Sequence, residues 1–197
     1  MTTLKILYID DNPEPALSRY LDKYQSSKCN FEYSDIVFNP EDGYESLINN
    51  PDVKLANIIF VDSRLFENRS VTSGKFTGEE FKIILKKYFP FIEVIVITQN
   101  KVDCDYETIS KYDPKSEKQA DEYYGEIIPK LLEQCVRNVF EARKIVSEIE
   151  KNRNWERVMV EKIVNSINGQ GKFDEFTKND IDDVIKMFRE LQTKIEG

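Results

Sequence analysis

At 197 residues, 40% of them hydrophobic, the chain has apolar material for one well-packed domain plus an appended element, with two compact domains a tight fit. Thirty-six acidic residues against 28 basic ones give a net charge of −8 and a pI near 4.9, which argues against a general nucleic-acid surface, because phosphate binding needs clustered Lys and Arg. The chain has no histidine, which excludes a catalytic imidazole and a His-ligated zinc site.

The first strand-like run, Leu4 to Ile9, closes on two adjacent carboxylates, Asp10 and Asp11, followed by Asn12 and Pro13. A run such as Ile58-Ile59-Phe60-Val61, apolar on both faces, reads as a buried strand of a parallel sheet, and it closes on Asp62. Parallel sheets carry their chemistry at the carboxyl ends of their strands, so three acids are expected to converge on one edge. Like charges packed that closely repel, and a hard divalent ion such as Mg2+, which takes carboxylate, carbonyl and water oxygens, resolves the repulsion. Asp10, Asp11 or Asn12 alone reads as an N-cap for the helix starting near Pro13; the acid pair together with Asp62 reads as a metal-binding pocket. A third core run, Glu93 to Thr98, ends on a hydroxyl, and a weaker one, Thr108 to Ser110, runs into Lys111.

This order of acid pair, single acid, hydroxyl and lysine resembles the receiver domain of two-component response regulators. The segment from Asp10 to Tyr24 resembles that family's acid loop and first helix. Thr77-Gly78-Glu79-Glu80-Phe81, with Ile84, Leu85 and Pro90, resembles the glycine that opens its third helix and the proline before its fourth strand. The resemblance covers Leu4 to Lys111 and the helix that follows. It implies a doubly wound α/β fold with a five-stranded parallel sheet in the order 2-1-3-4-5. It also implies that Asp62 is the phosphoacceptor, and that Asp10, Asp11, Asp62 and the backbone carbonyl of Arg64 hold Mg2+. Thr98 and Lys111 would then bind the phosphoryl oxygens. With no histidine in the chain, the phosphodonor must be another molecule, and the resemblance points to a histidine kinase or a phosphotransfer protein.

The chain also departs from that pattern. Sixteen positions separate Asp62 from Gly78, roughly twice the family's usual spacing, and the excess, Glu67 to Lys75, reads as an inserted surface loop. Thr98 and Lys111 lie thirteen apart, so Lys101 to Glu107 reads as a turn or a single helical turn. Thr108 stands where many receivers carry a switching aromatic residue, and Tyr112, not proline, follows the lysine.

From about Ser116 onward Gly and Pro are scarce, charges alternate, and apolar residues recur at three and four, which predicts helices. The chain is therefore expected to divide into a receiver-like domain, residues 1–128, and a helical extension, residues 129–197, built as a hairpin or a dimerisation element. Ile128, Leu132, Cys135, Val139, Ala142, Val146 and Ile149 have the spacing of a coiled-coil seam, expected to be covered by the last helix around Ile181 to Leu191 or by a second copy of the chain. Pro129 is expected to kink this helix or to open a new one. Trp155 to Ile167 continue an apolar face, and Thr177 with Asp180 resembles a capping box for the last helix. The acids from Asp174 onward lack the spacing and glycine of a calcium loop.

Cys29, Cys104 and Cys135 are odd in number and lack metal-ligand spacing, which fits free thiols in a reducing cytoplasm. No apolar stretch is long enough to span a bilayer, and the first residues lack a secretory layout, so a cytoplasmic protein without membrane contact is expected. The functional expectation is a receiver that signals through protein contacts or dimerisation and not through DNA. Two alternatives stand beside it: a phosphoryl sink, relay or phosphate-independent pseudo-receiver, and a Mg2+-dependent phosphohydrolase on a related fold. The Asp10-Asp11-Asn12 run lacks the spacer between acids that haloacid-dehalogenase-like phosphatases need.

Overall fold

The computed structural model describes residues 1–66, 77–100 and 108–151, with residues 161 and 164 besides. The inserted stretch from Glu67, the turn expected over Lys101 to Glu107 and the expected C-terminal helices lie outside the described residues.

Five strands form one parallel sheet: β1 (Thr3–Asp10), β2 (Asn30–Val37), β3 (Ile58–Asp62), β4 (Glu93–Thr98) and β5 (Thr108–Ser110). Their order is β2-β1-β3-β4-β5, the arrangement expected from the sequence. The helices between them are α1 (Pro15–Lys23), α2 (Gly43–Asn49), α3 (Pro51–Leu55) and α4 (Gly78–Tyr88), and α5 (Ala120–Lys151) follows β5.

Alternation along the strands sorts the core into two halves. Leu7, Ile9, Ile59, Val61, Val94 and Val96 face α2, α3 and α4, where Leu47, Val53, Phe81, Ile84 and Leu85 close over them. Their neighbours in sequence, Ile6, Tyr8, Ile58, Phe60, Ile95 and Ile97, face the opposite layer with Leu17 and Leu21 of α1 and Tyr124, Ile128 and Leu132 of α5. Both faces of β3 are covered, which is why its five residues are all buried and carry no polar alternation before Asp62.

Helix α4 starts on a capping box: the Thr77 hydroxyl accepts the Glu80 N–H (3.2 Å) and the Glu80 carboxylate accepts the Thr77 N–H (2.6 Å). The Gly78 N–H then donates to the Ser63 carbonyl (2.8 Å), so the start of α4 lies directly on the backbone that leaves β3.

Helix α5 passes through Ile128 and Pro129 without a break, so the chain crosses the expected boundary inside one helix, and Pro129 does not open a new one. The first half of the heptad-spaced seam does not wait for a partner helix. Ile128, Leu132 and Cys135 pack in the cluster that holds Tyr8, Ile97 and Ile109, and Val139 packs with Leu4 and Cys29. A helix laid across a sheet buries a stripe with the same three-four spacing as a helix in a coiled coil, so the periodicity alone does not choose between them. Ile128→Val should therefore lower stability by about 1 kcal/mol, the usual cost of one buried methyl group, with a urea midpoint independent of protein concentration. A midpoint that rises with concentration would show that the residue lies at an interface between chains.

Candidate functional site

Because β1 and β3 are parallel and adjacent, with Tyr8 opposite Phe60 and Ile9 opposite Val61, their last residues emerge side by side at the carboxyl edge. Asp10 and Asp62 are buried there and Asp11 is exposed, and one carboxylate oxygen from each lies within 4.8 Å of the others. Lys111 follows β5 and reaches back across the edge: its Nζ is 2.9 Å from Asp10 Oδ2 and 2.7 Å from Asp62 Oδ1. Its backbone N–H donates to the Thr98 carbonyl (2.7 Å), continuing the β4–β5 ladder by one residue and aligning the lysine with the acids.

The two buried acids are also held by their own loops. The Asn12 N–H donates to Asp10 Oδ1 (2.9 Å), and the Arg64 N–H donates to Asp62 Oδ2 (2.8 Å), both turns in which the side chain binds a backbone amide two residues on. The Tyr8 hydroxyl donates to Asp10 Oδ2, which strand alternation permits because residues two apart share a face. The Thr98 hydroxyl is buried and accepts the Asn100 N–H (3.2 Å), so it stands at the same edge without bonding to the acids.

Protonation follows from these contacts. Burial opposes ionisation of Asp10, but the Tyr8 hydroxyl, the Lys111 ammonium and the Asn12 N–H outweigh it and hold the carboxyl below its ordinary range. Asp11 is raised, by burial first and then by its neighbours Asp10 and Asp62. Burial disfavours the Lys111 ammonium, yet Asp62 and Asp10 more than compensate and keep it charged. The Tyr8 hydroxyl is pushed far upward by burial and by Asp10, so it stays a donor.

Three carboxylates face one ammonium. At a separation no greater than 4.8 Å, two carboxylates repel by about 3 kcal/mol at an effective dielectric of about 20. One lysine does not cancel three such charges. The donor set is all oxygen, one member is open to solvent, and the surplus charge is negative, so these residues can hold a hard divalent cation.

Two residues essential to this geometry carry no charge and escaped the sequence reading. Tyr8 sits inside an apolar run and reads there as core. Gly78 was seen only as a helix opener: a Cβ built on it would lie 2.3 Å from the Asp62 carbonyl oxygen and 2.8 Å from Ser63 Cα, so no larger residue fits against the phosphoacceptor candidate's backbone.

Five parallel strands in the order 2-1-3-4-5 with an acid pocket at the carboxyl edge make this a receiver-like doubly wound α/β fold. No family model matches the chain, and no curated protein does. Among solved structures, the chain is similar to the crystal structure of a two component transcriptional regulator AraC from Clostridium phytofermentans ISDg. The two are 17% identical and superimpose with a TM-score of 0.41 over 72% of this chain and 98% of that one. At that distance the reading of this site rests on its own side chains.

Proposed function

We propose that the protein is a receiver that takes a phosphoryl group on Asp62 with Mg2+ bound and signals through protein contacts. The observation that carries this reading is Lys111 Nζ bridging Asp10 and Asp62 beside Asp11, an arrangement that joins a nucleophile, a cation site and a phosphoryl-binding ammonium at one strand edge.

Asp10, Asp11, Asp62 and the Arg64 carbonyl would hold the ion, which when bound supplies positive charge to the oxygens of the incoming phosphoryl group. Both Asp62 oxygens are engaged, Oδ2 by the Arg64 N–H and Oδ1 by Lys111. A carboxylate oxygen that accepts one hydrogen bond keeps a second lone pair, so either Asp62 oxygen can attack phosphorus. As the Asp62 oxygen forms its bond to phosphorus, the bond from phosphorus to the donor's leaving group breaks, and the Lys111 ammonium follows the charge onto a phosphoryl oxygen. The Thr98 oxygen already accepts one hydrogen bond, and its own O–H is a donor for a second phosphoryl oxygen.

The donor fits a histidine kinase or a phosphotransfer protein in the cytoplasm, since the chain has no histidine of its own. Among the described residues no helix is long and apolar enough to cross a membrane. A dimer contact through α5 would use the face that carries Ile145, which is 59% exposed, since the seam residues Val139 and Val146 are buried.

Acetyl phosphate with Mg2+, followed by intact mass and peptide mapping, tests the assignment: one phosphoryl group per chain, on Asp62, is expected. Steady turnover of a generic phosphatase substrate without a modified Asp62 would instead establish a hydrolase. Asp11→Ala should weaken Mg2+ binding at least about tenfold in calorimetry and slow phosphorylation, because a metal site is tuned by each of its carboxylates. Mg2+ affinity unchanged in that variant would remove Asp11 from the site.

A further inference from the structure

The residue after Lys111 is a tyrosine with a backbone N–H, which a proline would lack. That N–H donates to the hydroxyl of Tyr124 in the first turns of α5 (3.0 Å). The Tyr124 hydroxyl donates to Glu14 Oε2 (2.6 Å), and the Glu14 N–H donates to the Tyr8 hydroxyl (3.3 Å), which itself donates to Asp10. Asp10 accepts Lys111 Nζ, and the contacts close into a ring: Lys111, Asp10, Tyr8, Glu14, Tyr124, Tyr112 and back along the chain to Lys111.

Tyr8 and Tyr124 are fully buried, and the Tyr8–Asp10 bond with them, while Glu14 and Tyr112 are half-buried. The segment between β5 and α5 is fastened beside the ring as well: the Tyr123 hydroxyl donates to the Ser110 carbonyl (3.0 Å) and the Tyr112 hydroxyl to the Lys118 carbonyl (2.8 Å). The lysine side chain is thus held by the acids at one end; at the other its own N–H is held by Thr98 and the next N–H by Tyr124 of α5, which Glu14, the residue before α1, holds in turn.

We infer that Glu14 and Tyr124 are positioning residues that act through Lys111, setting where its ammonium stands over Asp10 and Asp62 by way of the Tyr112 N–H. The inference rests on the proposed phosphoacceptor role only for its kinetic readout. It makes α5 a structural partner of the site, because a movement of Lys111 onto a bound phosphoryl group pulls on the first turns of that helix.

Two measurements test it. The first needs no phosphoryl group: amide hydrogen exchange at Tyr112 in Glu14→Ala, which removes the acceptor of the Tyr124 hydroxyl, and in Tyr124→Phe. Exchange should quicken about three- to tenfold in both, the range one modest hydrogen bond supplies, although Glu14 does not touch that amide. Sheet amides such as that of Ile59 should stay at wild-type rates. Unchanged exchange at Tyr112 in Glu14→Ala, or a uniform quickening across the sheet, overturns the ring.

The second is a double-mutant cycle on the rate of phosphorylation by acetyl phosphate. Tyr124→Phe should slow the wild type about three- to tenfold and alter the Lys111→Met variant by less than about twofold. Equal slowing in both backgrounds would show that Tyr124 acts on the fold at large and would overturn the inference. A wild-type protein that takes no phosphoryl group overturns the proposed function instead, and the exchange experiment then decides the ring by itself.

Discussion

Asp62→Ala is expected to abolish uptake of a phosphoryl group from acetyl phosphate while leaving the protein folded. The loss should be complete because no other carboxylate has the same setting. Asp10 is bound by the Tyr8 hydroxyl, the Asn12 N–H and Lys111, which together lower its basicity, and Asp11 is exposed at the rim of the pocket. The variant keeps the Asp10 partner of Lys111, so no buried ammonium is stranded, and it removes one of three carboxylates that repel one another. Its urea midpoint should equal or exceed that of the wild type. Full-stoichiometry phosphorylation of Asp62→Ala would refute the site, and collapse of the midpoint would show that Asp62 serves the fold before the chemistry.

Gly78→Ala is the second large effect. In this variant the added methyl group meets backbone, not the end of a flexible side chain: the Asp62 carbonyl oxygen at 2.3 Å, Ser63 Cα at 2.8 Å and the Asp62 carbonyl carbon at 2.9 Å. Neither element yields easily. The Asp62–Ser63 segment is tied to β4 by the Ser63 N–H to the Ile97 carbonyl (2.7 Å), and α4 is fixed by its capping box and by Phe81, which is fully buried. Overpacking of this kind costs about 3 kcal/mol or more, and the strain is released by displacing either α4 or Asp62. Urea unfolding should show the destabilisation, and phosphorylation of the surviving folded fraction should be slower. A variant as stable and as reactive as the wild type would mean that α4 does not sit on the Asp62 backbone.

The acid pocket was legible because strand runs that are apolar on both faces announce a parallel sheet, and the residues that close such runs stand at one edge whatever the rest of the chain does. Asp10, Asp11, Asp62 and Lys111 therefore meet as their positions in the sequence imply. Gly78 was legible as the opening of a helix, although its meaning for Asp62 was not: only packing reveals that Gly78 abuts the Asp62 carbonyl. The ring through Tyr8, Glu14 and Tyr124 left no local trace. Two of its bonded members, Glu14 and Tyr124, are 110 positions apart, and a tyrosine in an apolar strand or helix looks the same whether its hydroxyl meets solvent or a carboxylate.

The apolar spacing from Ile128 to Val139 teaches the complementary point. Periodicity determines that one face of α5 is buried, and that much belongs to the sequence alone, as does the identity of the acids, whereas the strand order followed from the family resemblance. Which surface buries that face is decided in three dimensions, where Tyr8, Ile97 and Ile109 present the sheet to Ile128, Leu132 and Cys135 before any second helix is needed. The physical reason is that hydrophobic burial is non-directional: a stripe of apolar side chains specifies that it leaves water, and only the shape and proximity of the available partners specify against what.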